Sequence, residues 1–236
     1  NSDQSKLPNT SQLEAKTKQF GALLGDIICE LEGDVVYQAV EKLRTGYIRL
    51  RHQNDPALRV ELMEFIENID LEVLEKVIRA FNIFYLITNI IEEDFHHLQR
   101  REQFRQSDDN LLWQGSVKRT VTELKDSGLD SHKMQQLIDQ LRYIPVFTAH
   151  PTESRRRTLM DIQRRLFLVI DAMGNPNLSK DEEKSLHHQL KAQIQLLWRS
   201  NEVRTRKPTV EDEVRYGLYY FRESLFDAIP QLYRYF

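Results

Sequence analysis

The sequence has almost no cysteine and no long apolar run. Cys29 is the single cysteine among 236 residues, so no disulfide can form within the chain, and a reducing compartment is expected. The most apolar window, 77–91, is interrupted by Arg79 and Asn82 and is too short and too polar to cross a bilayer. The first residues are polar and lack the apolar core of a signal peptide. These absences predict a cytoplasmic protein with no membrane partner.

The chain also lacks an excess of charge of either sign. Its 33 basic and 36 acidic residues give a formal net charge of −3. A general nucleic-acid binder is usually basic, so we expect no nucleic-acid partner. Hydrophobic residues make up 40% of the chain, which is enough to build a core.

Helical periodicity fills most of the sequence. Residues 1–10 are expected to be a disordered tail, and apolar residues at helical spacing predict an N-terminal helical region over 11–142. One helix should be long, running from Asp70 to about Arg105. The expected cap residues are Gly33, Asp34, Asp55 before Pro56, Ser179 with Glu182, and Thr209 with Asp212. The predicted fold class is mainly α, with the character of a helical bundle.

One segment breaks this pattern. Ile144 to Thr148 is a short β-prone apolar run and is the single convincing strand, at about 144–148. One strand cannot form a sheet. Either its partner strands lie outside this chain, or the segment is an extended piece held by helices. Residues 143–236 are therefore predicted to begin a second, incomplete region.

Local chemistry concentrates just after that run. Pro151 disfavours a helical conformation at His150, which places the histidine in extended backbone before a helix. Arginines 155–157 then crowd the first turn, where a helix dipole, free N–H groups and guanidinium groups together suit a phosphate or carboxylate. An imidazole beside an anion site can move protons near neutral pH. The alternative interpretation is a loop histidine followed by a solvated arginine face.

A second basic segment lies downstream. Its cations could form another wall of the same anion site, or nearby glutamates could neutralise them locally. The cations are Arg199, Arg204, Arg206 and Lys207, and the glutamates are Glu202, Glu211 and Glu213.

A resemblance strengthens the catalytic interpretation. Val146 to Glu153, with Arg156, Arg157 and Thr158, resembles the first signature of phosphoenolpyruvate carboxylase. Three downstream segments, Leu197–Arg204, Lys207–Thr209 and Asp212–Arg215, resemble a second segment of that family, although Asn201 replaces its usual aspartate. Upstream, Leu24–Ile28, Ala80–Asn82 and Asn89–Glu92 are similar to its N-terminal helices. The resemblance covers about 24–236, but family members are several hundred residues longer, and their glycine-rich second signature is absent here.

The resemblance implies the N-terminal portion of an α-rich (β/α) barrel enzyme. That enzyme converts phosphoenolpyruvate and bicarbonate to oxaloacetate and phosphate, needs magnesium or manganese, and forms a homotetramer. His150 would be catalytic. Arg156, Arg157 and Arg204 would bind an anion, either a phosphate group or a sugar-phosphate activator. The metal ligands and second signature lie outside this chain, so we expect the chain alone to be inactive.

Two other hypotheses remain open at this point. The chain could be a non-catalytic, all-helical interaction module that binds a partner through its aromatic last helix. It could also bind RNA through its two arginine clusters, although the overall acidity counts against that. Steeply salt-dependent RNA binding would support the RNA hypothesis.

Overall fold

Helices account for all the regular structure that is described. A computed structural model describes residues 10–106, 115–142, 144, 146, 157–200 and 209–235. The helices are α1 (Thr10–Glu32), α2 (Asp34–His52), α3 (Pro56–Asn68), α4 (Leu71–Gln106), α5 (Val117–Asp126), α6 (Ser131–Gln140), α7 (Arg157–Met173), α8 (Lys180–Arg199), α9 (Val210–Tyr220) and α10 (Phe226–Tyr235). A π-helical segment, Phe221–Leu225, joins the last two. The predicted mainly α fold class is confirmed.

The predicted strand at 144–148 and the barrel context are not confirmed. Ile144 and Val146 lie outside regular secondary structure and are 78% and 80% exposed. The other residues of the predicted strand lie outside the described part of the chain. The predicted tail over 1–10 also falls outside it, apart from Thr10, which begins α1.

Short polar signals set most helix boundaries where the sequence predicts them. Asp55 caps α3 by accepting a hydrogen bond from the Leu58 amide at 3.0 Å, with Pro56 in the first turn. Ser179 and Glu182 form a reciprocal capping box at the start of α8, and Thr209 and Asp212 form another at α9. These bonds satisfy amide groups that a helix start leaves without an intrahelical partner.

The junction between α1 and α2 corrects one boundary. Gly33, with φ of 82°, ends α1 by donating its amide to the Cys29 carbonyl at 3.0 Å. The same glycine also occupies the N-cap position of α2. Asp34 is therefore the first residue of α2 and not its cap, because a one-residue link leaves no room for a separate capping residue.

The chain divides into two compact units. The core unit contains Pro8–His97 and Arg157–Glu202, hence α1–α3, the first part of α4, α7 and α8. The second unit contains the rest of α4, α5, α6, α9 and α10. The predicted division into 11–142 and 143–236 stays a prediction.

The core unit is built on four amphipathic helices. Its largest cluster takes residues at helical spacing from each of them: Phe20, Leu24, Ile27 and Ile28 from α1; Ile83, Ile87 and Ile91 from α4; Leu159, Ile162, Leu166 and Ile170 from α7; Leu190, Ile194, Leu197 and Trp198 from α8. A smaller cluster joins α2, α3 and α4 through Ala39, Leu43, Leu62 and Val77. Burial of these faces is the main source of helix stability.

The second unit has little buried surface among its described residues. Ser116 is its only buried residue there. Phe226 is 65% exposed and Tyr233 is 82% exposed, so these aromatics of the last helix are not core residues within the described chain. Among the described helices, none combines the length and apolarity that crossing a bilayer requires.

Candidate functional site

The residues predicted to carry chemistry fall largely outside the described chain. His150, Arg156 and Arg204 belong to the ranges 147–156 and 201–208, which are not described. Arg157 is the first residue of α7, and only its backbone is described. The roles predicted for these four residues therefore stay predictions. What the structure does describe is the pair of helices to which the two ranges are attached.

Helices α7 and α8 form an antiparallel pair inside the core unit. Helix α7 follows the range that contains His150, and α8 precedes the range that contains Arg204. Leu166 and Ile170 of α7, with Ile194 of α8, have no exposed surface and belong to the same apolar cluster. Nearer the ends that carry the predicted site, Leu159 of α7 and Leu197 of α8 are 3% and 1% exposed and belong to this cluster, so both ends are packed in the core.

The last turn of α8 is held by two other helices. Trp198 is 2% exposed, and its indole N–H donates to Glu32 Oε1, at the end of α1, at 2.8 Å. The Trp198 carbonyl accepts a hydrogen bond from Arg79 Nη1, on α4, at 2.9 Å. Lys76, one turn before Arg79, contacts Glu32 Oε2 at 2.8 Å. We call Glu32, Lys76, Arg79 and Trp198 the α8 anchor.

The opposite charges of Glu32 and Lys76 within the α8 anchor stabilise each other. Burial raises the pKa of the Glu32 carboxyl, but hydrogen bonds from Lys76 and Trp198 outweigh burial and leave that pKa below its ordinary value. The hydrogen bond to Glu32 raises the pKa of Lys76 in turn. Both groups are therefore charged near neutral pH, and each stabilises the charged form of the other.

A cleft of about 300 Å³ lies over the anchor, lined by its four residues and by Glu72 and Glu75. Both oxygens of Glu32 already accept hydrogen bonds, and its lowered pKa makes it a poor proton acceptor at neutral pH. Arg79 is engaged by the Trp198 carbonyl and lies 3.5 Å from Glu75. This geometry suits a structural clamp better than a catalytic centre.

The described residues contain no group of three His, Cys, Asp or Glu side chains that could hold a metal ion. His97 Nδ1 lies 3.5 Å from Asp171 Oδ1 and its ring is 6.1 Å from that of Phe167, so it links α4 to α7. His96 packs edge-on against Phe95. The adjacent histidines thus make structural contacts.

Comparison with known proteins decides the family. A model of the phosphoenolpyruvate carboxylase family matches residues 13–236. The chain belongs to the phosphoenolpyruvate carboxylase family. It is 36% identical over 226 residues to the phosphoenolpyruvate carboxylase of Roseiflexus castenholzii, covering 95% of this chain and 24% of the relative. It is 31% identical over 221 residues to that of Nitrosomonas europaea, covering 94% of this chain and again 24% of the relative. The chain spans about a quarter of the length of the curated relatives it matches.

Membership of the phosphoenolpyruvate carboxylase family confirms the resemblance, which includes Leu197–Arg204. Sequence reasoning noted Trp198 only as part of that family segment, and it missed Glu32, Lys76 and Arg79. The one local signal for Lys76 and Arg79 is that each follows a glutamate, Glu72 or Glu75, by four positions on α4, a spacing typical of helix-surface ion pairs. Nothing local indicates that Lys76 and Arg79 reach the ends of α1 and α8.

Proposed function

We propose that this chain is part of an enzyme that carboxylates phosphoenolpyruvate with bicarbonate, giving oxaloacetate and phosphate. The family match over residues 13–236 carries this proposal. The enzyme would act in the cytoplasm as a homo-oligomer, expected to be a tetramer. Because the chain spans 24% of its relatives, we expect it to be inactive alone. Bicarbonate-dependent oxaloacetate formation by the isolated chain would contradict that expectation.

The proposed reaction has three steps: phosphoryl transfer, breakdown of carboxyphosphate, and formation of the new carbon–carbon bond. Phosphoryl transfer from phosphoenolpyruvate to bicarbonate gives carboxyphosphate and the enolate of pyruvate. Carboxyphosphate then loses its proton and breaks into CO₂ and phosphate, and the enolate carbon attacks CO₂ to form oxaloacetate. His150 would accept the carboxyphosphate proton, because a neutral imidazole can take a proton at physiological pH. A divalent metal, magnesium or manganese, supplies charge neutralisation in the family, and no described residue of this chain is assigned to it.

Arg156, Arg157 and Arg204 are proposed to bind an anion. The ligand would be a phosphate group of a substrate or of a sugar-phosphate activator. Guanidinium groups bind phosphate oxygens in pairs, which gives both charge and orientation. An ion pair within α9 supports this in one respect: Glu211, one candidate for neutralising the basic segment, pairs with Arg215 of its own helix at 2.6 Å.

The test uses the full-length enzyme that contains this chain. Replacement His150→Asn should lower bicarbonate-dependent oxaloacetate formation by about two to four orders of magnitude, the usual contribution of a general acid–base group, while phosphoenolpyruvate still binds. His52→Asn is the matched control, since His52 is an exposed residue in the last turn of α2. Unchanged activity in His150→Asn would make that histidine structural, and an inactive wild type would refute the proposed reaction.

A further inference from the structure

An exposed apolar surface follows α9, the π-helical segment and α10. None of the side chains described over 209–234 is buried. Seven apolar side chains of this stretch are between 39% and 82% exposed, and we call them the apolar ridge: Val210, Val214, Leu218, Phe221, Phe226, Ile229 and Tyr233. Single exposed apolar residues are ordinary, whereas a contiguous patch marks an interaction site. The ridge therefore needs a partner if its members share one face.

The π-helical segment keeps the ridge on one face. The Phe226 amide donates to the Phe221 carbonyl, five positions earlier, so this turn contains one residue more than an α-helical turn. In an α-helix, residues five positions apart point in directions about 140° apart and do not meet. Here the rings of Phe221 and Phe226 lie 6.1 Å apart, edge to face. Side chains before and after the π-helical segment thus share a face.

The spacing on either side of this pair continues the same face. Up to Phe221, ridge residues recur at intervals of four, four and three positions, and from Phe226 at intervals of three and four. Such intervals place side chains on one side of an α-helix. The ridge is therefore continuous from Val210 to Tyr233, a length of about 35 Å at 1.5 Å per residue.

The charged side chains of this stretch do not suit a membrane or a nucleic acid. The sequence over 210–235 has five acidic and three basic residues. A helix that lies on an anionic lipid surface is rich in lysine and arginine on its polar face, and a nucleic-acid-binding helix is basic as well. The occupant of the ridge is therefore a protein surface.

We propose that the apolar ridge is the docking surface for the part of the same polypeptide that follows residue 236 in the full-length enzyme. This role rests on the proposed function, because it takes the chain as part of that longer enzyme. The chain covers 24% of each of two relatives, so most of their length lies outside the match. A segment tethered to the ridge has a high effective concentration there and docks before two copies meet. Helices with so little burial need such a partner, since an isolated helix is marginally stable in water.

The first experiment places a photo-crosslinking residue, p-benzoylphenylalanine, at Phe226 or Tyr233 of the full-length enzyme, where it replaces an aromatic residue. Asp227 is the matched control position, because it is exposed and adjoins Phe226 but lies about 100° round the helix from it. Denaturing electrophoresis separates crosslinks within one chain from those between chains, and mass spectrometry identifies the crosslinked peptide. Both ridge positions should crosslink within one chain to peptides beyond residue 236, and the control should lose most of that yield.

The crosslinking outcomes separate the possible occupants. Crosslinked dimers in place of products within one chain would assign the ridge to a second copy and overturn the proposal. Equal yields at Asp227 and the ridge positions, or no crosslinks at all, would overturn it as well. The crosslinks do not depend on catalysis. An enzyme that gives the expected crosslinks but has no carboxylase activity would refute the proposed function and leave the docking surface in place.

The second experiment uses two single-residue deletions to test the continuity of the ridge. Deleting Ser224 removes the extra residue of the π-helical segment, so an α-helical turn can form and Phe226 stays on the ridge. Deleting Arg215 from α9 turns the residues before it by about 100° relative to those after it and divides the ridge. The ion pair of Arg215 with Glu211 is exposed and contributes little. The Arg215 deletion should therefore lower the thermal midpoint of the full-length enzyme more than the Ser224 deletion, and the reverse order would refute a continuous ridge.

Discussion

The ion pair between Lys16 and Asp94 should be the most sensitive polar contact of the core unit. Lys16 Nζ of α1 lies 2.6 Å from Asp94 Oδ2 of α4. The Asp94 side chain is fully buried, whereas that of Lys16 keeps 28% of its exposure. Asp94 Oδ1 has no hydrogen-bond partner among the described residues. Lys16 is therefore the main compensation for a carboxylate that has no access to water.

Replacement Lys16→Met keeps an unbranched apolar chain but removes the counter-charge. Breaking a buried pair from one side typically costs about 3–5 kcal/mol, because a buried charge is left uncompensated. We expect about 3 kcal/mol here, since the partial exposure of Lys16 lets some water approach the pair. Asp94→Leu should cost less, about 1 kcal/mol, because the remaining ammonium group can turn towards solvent. The double variant should cost about 2 kcal/mol or less, so the coupling energy should be about 2 kcal/mol or more.

Urea unfolding followed by circular dichroism at neutral pH measures these differences, provided that the m-values of the variants agree. Lys191→Met is the matched control. Lys191 of α8 pairs with Glu30 of α1 at 2.7 Å, but the two side chains are 41% and 52% exposed. An exposed pair contributes at most about 1 kcal/mol. If Lys16→Met costs no more than Lys191→Met, the argument from burial is refuted.

Two other predictions concern packing and pH. An alanine Cβ at Gly46 would lie 2.7 Å from both methyl carbons of Leu62, which is 1% exposed, so Gly46→Ala should destabilise the chain. Overpacking costs about 1–3 kcal/mol, and the higher helix propensity of alanine offsets up to about 1 kcal/mol of that cost. The urea midpoint should therefore fall, and a rise would contradict the close packing of α2 on α3. Glu32→Gln should lower the thermal midpoint at pH 7, and the difference from the wild type should shrink below about pH 4, because a carboxyl whose pKa is depressed by folding stabilises only while ionised. A difference that stays constant down to pH 3 would show that the charge of Glu32 is not what stabilises the end of α8.

The parts of the fold that the sequence predicts are those with local causes. A capping box needs two residues three positions apart, so Ser179 with Glu182 is readable in the sequence and present in the structure. The error at Asp34 has a local cause as well: a capping residue and a first helical residue look alike when a single glycine separates two helices. The contacts of Trp198 have no local signal, because its partners lie 119 and 166 positions away. Which helix surfaces meet is decided by the packing of the whole core unit.

The same distinction between local and non-local causes applies to the candidate site. The site can be recognised from a short run of residue types, because that run is visible in the sequence whatever packs around it. Position within a family segment, however, does not assign a role. Leu197 and Trp198 belong to the family-like segment, yet Leu197 is 1% exposed and both hydrogen-bonding groups of Trp198 discussed above are used within the core unit. Arg199, the next residue, is exposed, as the helical period requires. The segment therefore joins Leu197 and Trp198, which hold the end of α8 in place, to the residues after them, and only those later residues are candidates for contact with an anion.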